Sequence, residues 1–284
     1  MSYFFACLVA YCVSLVTSTA GVSGAFLLLP FQVSVLGLVG PAVTPTNLLF
    51  NVVAAPSGIY RYLREGRMVW PLAIVIAVGT VPGVVLGALV RITLLPDPRN
   101  FKLFVGIVLL LLGVRLGLSV LGGRPAPGSA TDSFLVRAAR LGLRRLEYEF
   151  QGVRHSIPTA KLALLAVAVG VVGGIYGVGG GAIMAPILVS MGHLPIHSIA
   201  GATLLATFLT SLSGISFFAF SAGLLAQPAL MPDWWLGLSL GIGGLLGMYS
   251  GARLQRRLPA RAIEAVLALA TTGLALSYVV GYLR

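Results

Sequence analysis

Charged residues are scarce in this chain of 284 residues. Asp, Glu, Lys and Arg make up only 9% of it, whereas hydrophobic residues make up 58%. In an ordinary soluble domain about a quarter of the residues are charged, because its surface must face water. The composition therefore excludes a water-soluble fold and indicates a chain that faces lipid.

Two long segments contain no charged residue at all. The 60 residues before Arg61 and the 71 residues between Lys161 and Asp233 each have room for about three membrane crossings of about 20 residues. Shorter apolar stretches predict four more crossings, at 68–90, 101–121, 234–252 and 265–283. The sequence thus predicts an all-α, multi-pass protein of the cell membrane with about ten transmembrane segments.

Acidic and metal-binding residues are also few. None of the seven Asp and Glu residues falls within a predicted crossing, which disfavours transport driven through intramembrane carboxylates. The two cysteines and three histidines do not form a metal-binding pattern. We expect no metal, no cofactor and no catalytic residues. The net charge of +12 is carried by predicted loops and helix ends, so we interpret it as membrane topology and not as a nucleic-acid surface.

An internal repeat divides the chain. The motif Gly21-Val22-Ser23-Gly24 recurs 156 residues later as Gly177-Val178-Gly179-Gly180. Further along, the register becomes 164 and pairs Trp70 with Trp234. A constant register over many positions predicts two copies of one five-helix unit, at residues 1–121 and 162–284.

The basic residues predict how the two units lie in the bilayer. If the chain crosses about ten times, fifteen of the nineteen Lys and Arg residues fall on one side and four on the other. Cytoplasmic loops carry the excess of Lys and Arg, so we predict a cytoplasmic central loop and extracytoplasmic termini. Because each unit has an odd number of crossings, the second is inverted relative to the first, as in many secondary transporters.

The segment between the units, residues 122–161, differs from both. It opens with a Gly- and Pro-rich stretch at 122–128 that is typical of a linker. From Asp132 to Phe150, arginines are interspersed with Phe and Leu, which predicts a basic amphipathic helix. We expect this helix to bind anionic lipid of the cytoplasmic leaflet.

Each unit has a glycine-rich interruption in its apolar core, at 21–24 and at 177–181, and a proline follows nine residues after the first glycine. Broken backbone is tolerated at membrane depth only inside protein or beside a watery cavity. A half-helix that restarts there directs free N–H groups and a positive dipole end at the cavity, an arrangement that binds anions. The alternative is close helix packing through small residues.

Neutral polar residues near these interruptions complete the predicted site. Asn47 pairs with Thr203 and Asn51 with Thr207 in the repeat register, and positions four apart share one helical face. We predict that two polar stripes line the path of a small anionic substrate. The candidate binding residues are Ser23, Gly24, Gln32, Asn47, Asn51, Gly179, Gly180, Gly181, His197, Thr203 and Thr207.

The repeat motifs resemble those of a known family. The Gly-Val-x-Gly start of each unit with its downstream proline, the pairs Ser57-Gly58 and Ser213-Gly214, and the Gly-rich stretch after Trp70 resemble TauE/SafE-type sulfite and organosulfonate exporters. The resemblance covers nearly the whole chain except 122–160, and it implies export of sulfite or of C2 sulfonates such as sulfoacetate. Ser23 departs from the family's glycine run, so the two interruptions need not play equal roles.

Two other kinds of function stay open. A carrier of another small organic anion or of a neutral solute would share the architecture, but transport of a neutral solute would not respond to membrane potential. The motif at 21–24 also resembles the Gly-x-Ser-Gly motif of rhomboid intramembrane proteases, with His193 or His197 as the base. The repeat counterpart of Ser23 is Gly179, which favours a backbone role over a nucleophile.

Overall fold

A computed structural model describes residues 3–38, 40–121, 135–192, 194–258 and 260–283. This part of the chain forms ten α-helices and one three-stranded sheet. In chain order they are α1 (Tyr3–Ser18), α2 (Ala25–Ser34), α3 (Val43–Arg64), α4 (Trp70–Thr93), α5 (Pro98–Leu121), β1 (Val136–Leu141), β2 (Arg145–Phe150), β3 (Val153–Pro158), α6 (Thr159–Tyr176), α7 (Gly180–Gly192), α8 (Ile196–Leu224), α9 (Trp234–Leu254) and α10 (Ala260–Leu283).

Five stretches among the described residues are long and apolar enough to cross a membrane. They are Trp70–Thr93, Pro98–Leu118, Thr159–Tyr176, Ile196–Leu224 and Pro228–Leu254, and shorter apolar helices accompany them. This supports a multi-pass membrane protein. The two shortest helices are α2 with 10 residues and α7 with 13. At about 1.5 Å per residue these helices reach only part of the way through a core about 30 Å thick.

Helix packing recurs at repeat-related positions. Helix α4 packs on α6 and α9 packs on α1, while α3 contacts α9 and α8 contacts α4. Glycines permit the close approach: a Cβ atom at Gly87 would collide with the carbonyl of Val171 on α6, and one at Gly251 would collide with that of Leu15 on α1. Small residues spaced four apart allow such backbone contact between membrane helices.

The linker between the two halves contains a sheet, so the expected amphipathic helix is wrong for the described residues of this segment. Strands β1, β2 and β3 pair in order and antiparallel. In β2 the side chains of Leu146, Tyr148 and Phe150 are buried, and their neighbours are more exposed. This alternation has the period of a strand, and a helix would have placed Tyr148 on the side opposite Leu146 and Phe150. Residues 122–134, which include the Gly- and Pro-rich stretch, lie outside the described residues.

The sheet is docked on the helical body. The Tyr148 hydroxyl lies 3.0 Å from Ser198 Oγ, near the start of α8, and the Val136 N–H donates to the Gly66 carbonyl at 3.2 Å. Burial raises the pKa of Tyr148 to about 12. The sheet therefore adjoins the connection after α3 and the first turn of α8.

Candidate functional site

Both predicted interruptions are breaks between helices. Helix α1 ends at Ser18 and α2 begins at Ala25, while α6 ends at Tyr176 and α7 begins at Gly180. Gly21 has φ +66° and Gly177 has φ +82°, values that glycine adopts without the steric cost of a side chain. The prediction that glycines interrupt the helix at equivalent places in the two halves is confirmed.

Each break is bound by the long third helix of the other half. Asn47 Nδ2 on α3 donates to the Gly177 carbonyl at 2.9 Å, and Thr203 Oγ1 on α8 donates to the Gly21 carbonyl at 2.9 Å. Asn47 and Thr203 are equivalent in the repeat register, and so are Gly177 and Gly21. The same register therefore relates two reciprocal contacts between the halves.

The two asparagines of α3 hold several parts of the breaks at once. Asn47 Nδ2 also donates to the Ala25 carbonyl at 3.0 Å, and its Oδ1 accepts from Gln32 Nε2 at 2.9 Å. Asn51 Nδ2 donates to the Val178 carbonyl at 3.0 Å, and its Oδ1 accepts from the Ser23 hydroxyl. Both asparagines are fully buried. Their amide donors thus satisfy carbonyls that the broken helices leave open, which hydrocarbon could not do.

The start of α7 is enclosed by hydroxyl groups from α8 and α4. The Gly180 N–H donates to Thr210 Oγ1 at 3.2 Å. A Cβ atom at Gly179 would lie 2.9 Å from Ser211 Oγ, and one at Gly181 would lie 2.6 Å from Thr207 Oγ1. A Cβ atom at Gly180 would meet the side chain of Thr80. This half-helix start is therefore surrounded by small neutral hydrogen-bonding groups.

Ten of the eleven predicted residues meet in this buried region: Ser23, Gly24, Gln32, Asn47, Asn51, Gly179, Gly180, Gly181, Thr203 and Thr207. Sequence reasoning did not single out Ser14, Thr17 and Thr80, which are also buried. The Ser14 and Thr17 hydroxyls and Gln32 Oε1 have no hydrogen-bond partner in the described structure. Polar residues spaced three apart in an uncharged helix, as Ser14 and Thr17 are, could have identified the first two.

His197 is the exception, because it lies with a different set of residues. Its Nε2 is 3.3 Å from the Gln255 carbonyl. Gln255 Oε1 accepts from Arg67 Nη1 at 2.7 Å, and Arg67 forms an ion pair with Glu65 at 2.5 Å. Ser23, by contrast, bonds to Asn51 and to the Ala25 N–H. The described hydrogen bonds thus do not join Ser23 to His197 as a protease would require, and His193 lies outside the described residues.

Arg91 is a buried charge that sequence reasoning placed among loop and helix-end residues. It lies near the end of α4 and is fully buried. Its Nε donates to Thr44 Oγ1 at 3.3 Å, its Nη2 donates to the Gly40 carbonyl at 3.1 Å, and its Nη1 donates to the Leu95 carbonyl. The site region therefore has a nearby guanidinium, although the sequence predicted only neutral groups inside the protein. The repeat register aligns Arg91 with Gln255. This alignment shows that the two halves differ in charge here, but it does not indicate burial.

No group of three or more His, Cys, Asp or Glu side chains lies together in the part of the chain that the structure describes. The groups at the two breaks are hydroxyls, amides and backbone N–H and carbonyl groups. Such groups hold small oxyanions or neutral polar solutes more readily than divalent cations.

Comparisons with known proteins identify the family. The family described as "Sulfite exporter TauE/SafE" matches residues 6–278. The chain is 25% identical to "Probable membrane transporter protein YunE" of Bacillus subtilis, over 80% of this chain and 82% of that protein. It is 24% identical to a "Probable membrane transporter protein" of Xylella fastidiosa strain Temecula1, over 84% of this chain and 80% of that protein. No solved structure matches the chain. The chain belongs to the TauE/SafE family of membrane proteins.

Proposed function

We propose that this protein is a transporter that exports small sulfur-containing oxyanions, such as sulfite or C2 organosulfonates of the sulfoacetate type. The observation that carries the proposal is the reciprocal contact of Asn47 with Gly177 and of Thr203 with Gly21. These two contacts bring both helix breaks together into a buried polar centre, in a chain that is otherwise largely apolar. The family description supplies the class of substrate.

The transport mechanism is alternating access between two inverted five-helix repeats. The matched packing of α4 on α6 and of α9 on α1 supports this proposal, since equivalent elements of two related units make equivalent contacts. A break held by the long helix of the other half couples the two units. Rocking of one unit against the other would then expose the centre to each side in turn.

The membrane potential favours export of an anion. With the cytoplasm negative, outward movement gains about 2.3 kcal/mol per charge per 100 mV, or about 4.6 kcal/mol for a dianion. Efflux of sulfite therefore needs no coupling ion. Transport of a neutral solute would gain nothing from the potential, so the potential distinguishes the two kinds of substrate.

A panel of ligands tests the substrate class. We expect sulfite and sulfoacetate to raise the melting temperature of the purified protein, and taurine and acetate to have smaller effects. In proteoliposomes, an inside-negative potential should accelerate efflux of sulfite. Stabilisation by taurine alone, or efflux that ignores the potential, would instead favour a neutral or zwitterionic solute.

A reporter fusion tests the inverted arrangement. Both termini should be extracytoplasmic, because the basic residues concentrate on the side of the central loop. A reporter that is active only in the cytoplasm should be inactive when it is fused after Arg284, and active when it is inserted at 122–128. Full activity at the C-terminus would contradict the inverted arrangement, in which the short helices α2 and α7 count as two of the ten crossings.

The sheet offers a second partner, anionic lipid. Exposed arginines concentrate in and beside its strands, namely Arg137, Arg140, Arg144, Arg145 and Arg154. Basic groups at a membrane surface attract anionic headgroups by about 1 kcal/mol each. We expect the purified protein to be stabilised more by phosphatidylglycerol than by phosphatidylcholine, and neutralising Arg140 and Arg144 should reduce that difference.

A further inference from the structure

Two arginines, Arg67 and Arg91, are fully buried, and they differ in whether a carboxylate pairs with their charge. Arg67 forms an ion pair, because its Nη2 lies 2.5 Å from Oε2 of Glu65, a carboxylate that also pairs with Arg61. No carboxylate among the described residues forms an ion pair with Arg91. A buried charge is costly unless a partner compensates it. Arg91 is thus the buried cation that lacks an anion.

The neighbours of Arg91 are neutral. Its donors reach the Thr44 hydroxyl and the carbonyls of Gly40 and Leu95, and its guanidinium lies 4.1 Å from the ring centroid of Phe101. The carboxylates in nearby segments are engaged elsewhere. Asp97 accepts from the Arg99 N–H at 2.8 Å, and Asp233 accepts from the Leu236 N–H at 3.0 Å.

The guanidinium lies between the second break and a surface loop. Thr44, its buried partner, packs against Gly177, where a Cβ atom would lie 2.8 Å from both the Thr44 carbonyl and its Cγ2. The bonds to Gly40 and Leu95 are only partly buried. The Nε side of the guanidinium therefore faces the helix break through Thr44, and its Nη1 and Nη2 atoms face the partly exposed residues Leu95 and Gly40.

The two halves of the chain differ at this position. The repeat register of 164 aligns Arg91 with Gln255. Gln255 is a neutral residue, and the arginine that it contacts, Arg67, is already paired with Glu65. An uncompensated positive charge therefore stands at only one of the two equivalent positions.

We propose that Arg91 is an anion-binding residue of the transport path, with which a sulfite or sulfonate group pairs on its way between the second break and the surface loop. This inference rests on the proposed function and deepens it. The planar fork of a guanidinium matches two oxygens of such a group. Charge-assisted bonds to an oxyanion are stronger than bonds to neutral carbonyls, so an arriving anion displaces the Gly40 and Leu95 carbonyls from Nη2 and Nη1.

The test compares variants of Arg91 with a matched control. Arg91→Gln installs the residue of the equivalent position, Arg91→Lys keeps the charge without the fork, and Arg115→Gln removes an exposed arginine of α5. Binding of sulfite and of sulfoacetate is measured by thermal shift, and efflux is measured in proteoliposomes. Loss of a charge-assisted hydrogen bond predicts about tenfold to a hundredfold weaker sulfite binding and a higher KM in Arg91→Gln. Arg91→Lys keeps the charge and loses the fork, so it should bind sulfite more weakly than wild type but more tightly than Arg91→Gln. Arg115→Gln should match wild type.

The possible results separate this inference from the proposed function. Wild-type protein that binds neither sulfite nor sulfoacetate overturns both. Wild-type protein that binds them, together with an Arg91→Gln variant that binds them equally well, overturns the role of Arg91 alone. If Arg91→Gln does not fold, Arg91→Lys decides: a folded lysine variant that binds sulfite measurably more weakly than wild type supports the role of Arg91. A folded lysine variant that binds sulfite as tightly as wild type overturns that role, because the fork would then contribute nothing.

Discussion

Asn47 Nδ2 lies 2.9 Å from the carbonyl oxygen of Gly177, a residue that is 130 positions away in the other half of the chain. The equivalent contact, from Thr203 to Gly21, has the same length. Each half therefore supplies the hydrogen-bond donor that the break in the other half requires. Because the two contacts are reciprocal, the breaks and the long helices α3 and α8 form one unit of structure.

Replacing Asn47 with Leu should destabilise the fold. The change leaves the Gly177 and Ala25 carbonyls without the Asn47 donor and removes the acceptor of Gln32. An unsatisfied buried group costs about 1–3 kcal/mol. Because several groups lose a partner, the free energy of unfolding should fall by several kcal/mol. Denaturation in detergent measures it, and Asn100→Leu, at an exposed position, is the control. Equal stability of the two variants would show that the network contributes little.

Replacing either Gly177 or Gly21 with Ala should lower the melting temperature of the protein. A side chain at either residue is strained by the positive φ and meets a helix of the other half, at Thr44 for Gly177 and at Ala200 for Gly21. Gly273→Ala is the control, because nothing lies within 4 Å of its Cβ position. The expected cost is about 1–3 kcal/mol or more at each break and near zero in the control. A control as damaging as the two variants would refute the explanation by close packing.

Thr207→Val should weaken anion binding and leave stability nearly unchanged. Its hydroxyl donates to the Thr203 carbonyl of its own helix at 2.9 Å and faces the start of α7 near Gly181. Valine has nearly the same shape, so the main loss is a hydroxyl group beside the half-helix. We expect about tenfold weaker sulfite binding, the effect of one good hydrogen bond. The matched variant Thr93→Val, which removes an exposed hydroxyl, should bind like wild type.

Acidification should weaken the sheet through His155. This side chain stacks on Tyr148 with ring centroids 5.1 Å apart, and burial lowers its pKa below the ordinary value of 6.5. The unfolded chain therefore binds the proton more readily, so the contribution of His155 to stability decreases as the pH falls through that ordinary value. Melting curves between about pH 8 and pH 5 should show a larger loss for wild type than for His155→Phe. Identical pH profiles would mean that His155 does not titrate across folding.

Local sequence determined much of this protein. Long uncharged segments predict membrane helices because hydrocarbon leaves the backbone few alternatives. The places where those helices break follow from the glycines at 21 and 177, since a positive φ is a local property of the backbone. The repeat register also predicted that Asn47 and Thr203 are equivalent, and the structure gives both residues the same kind of contact.

The tertiary structure decided what those residues contact. A register of 156 relates Asn47 to Thr203, but it cannot show that the partner of each is the break in the opposite half. The burial of Arg91 and the separation of His197 from the other candidates likewise depend on which helix ends meet. In the linker, Leu146, Tyr148 and Phe150 form a strand because the helical body covers one face. Contacts between distant segments have no signal in local periodicity, so only the folded chain defines them.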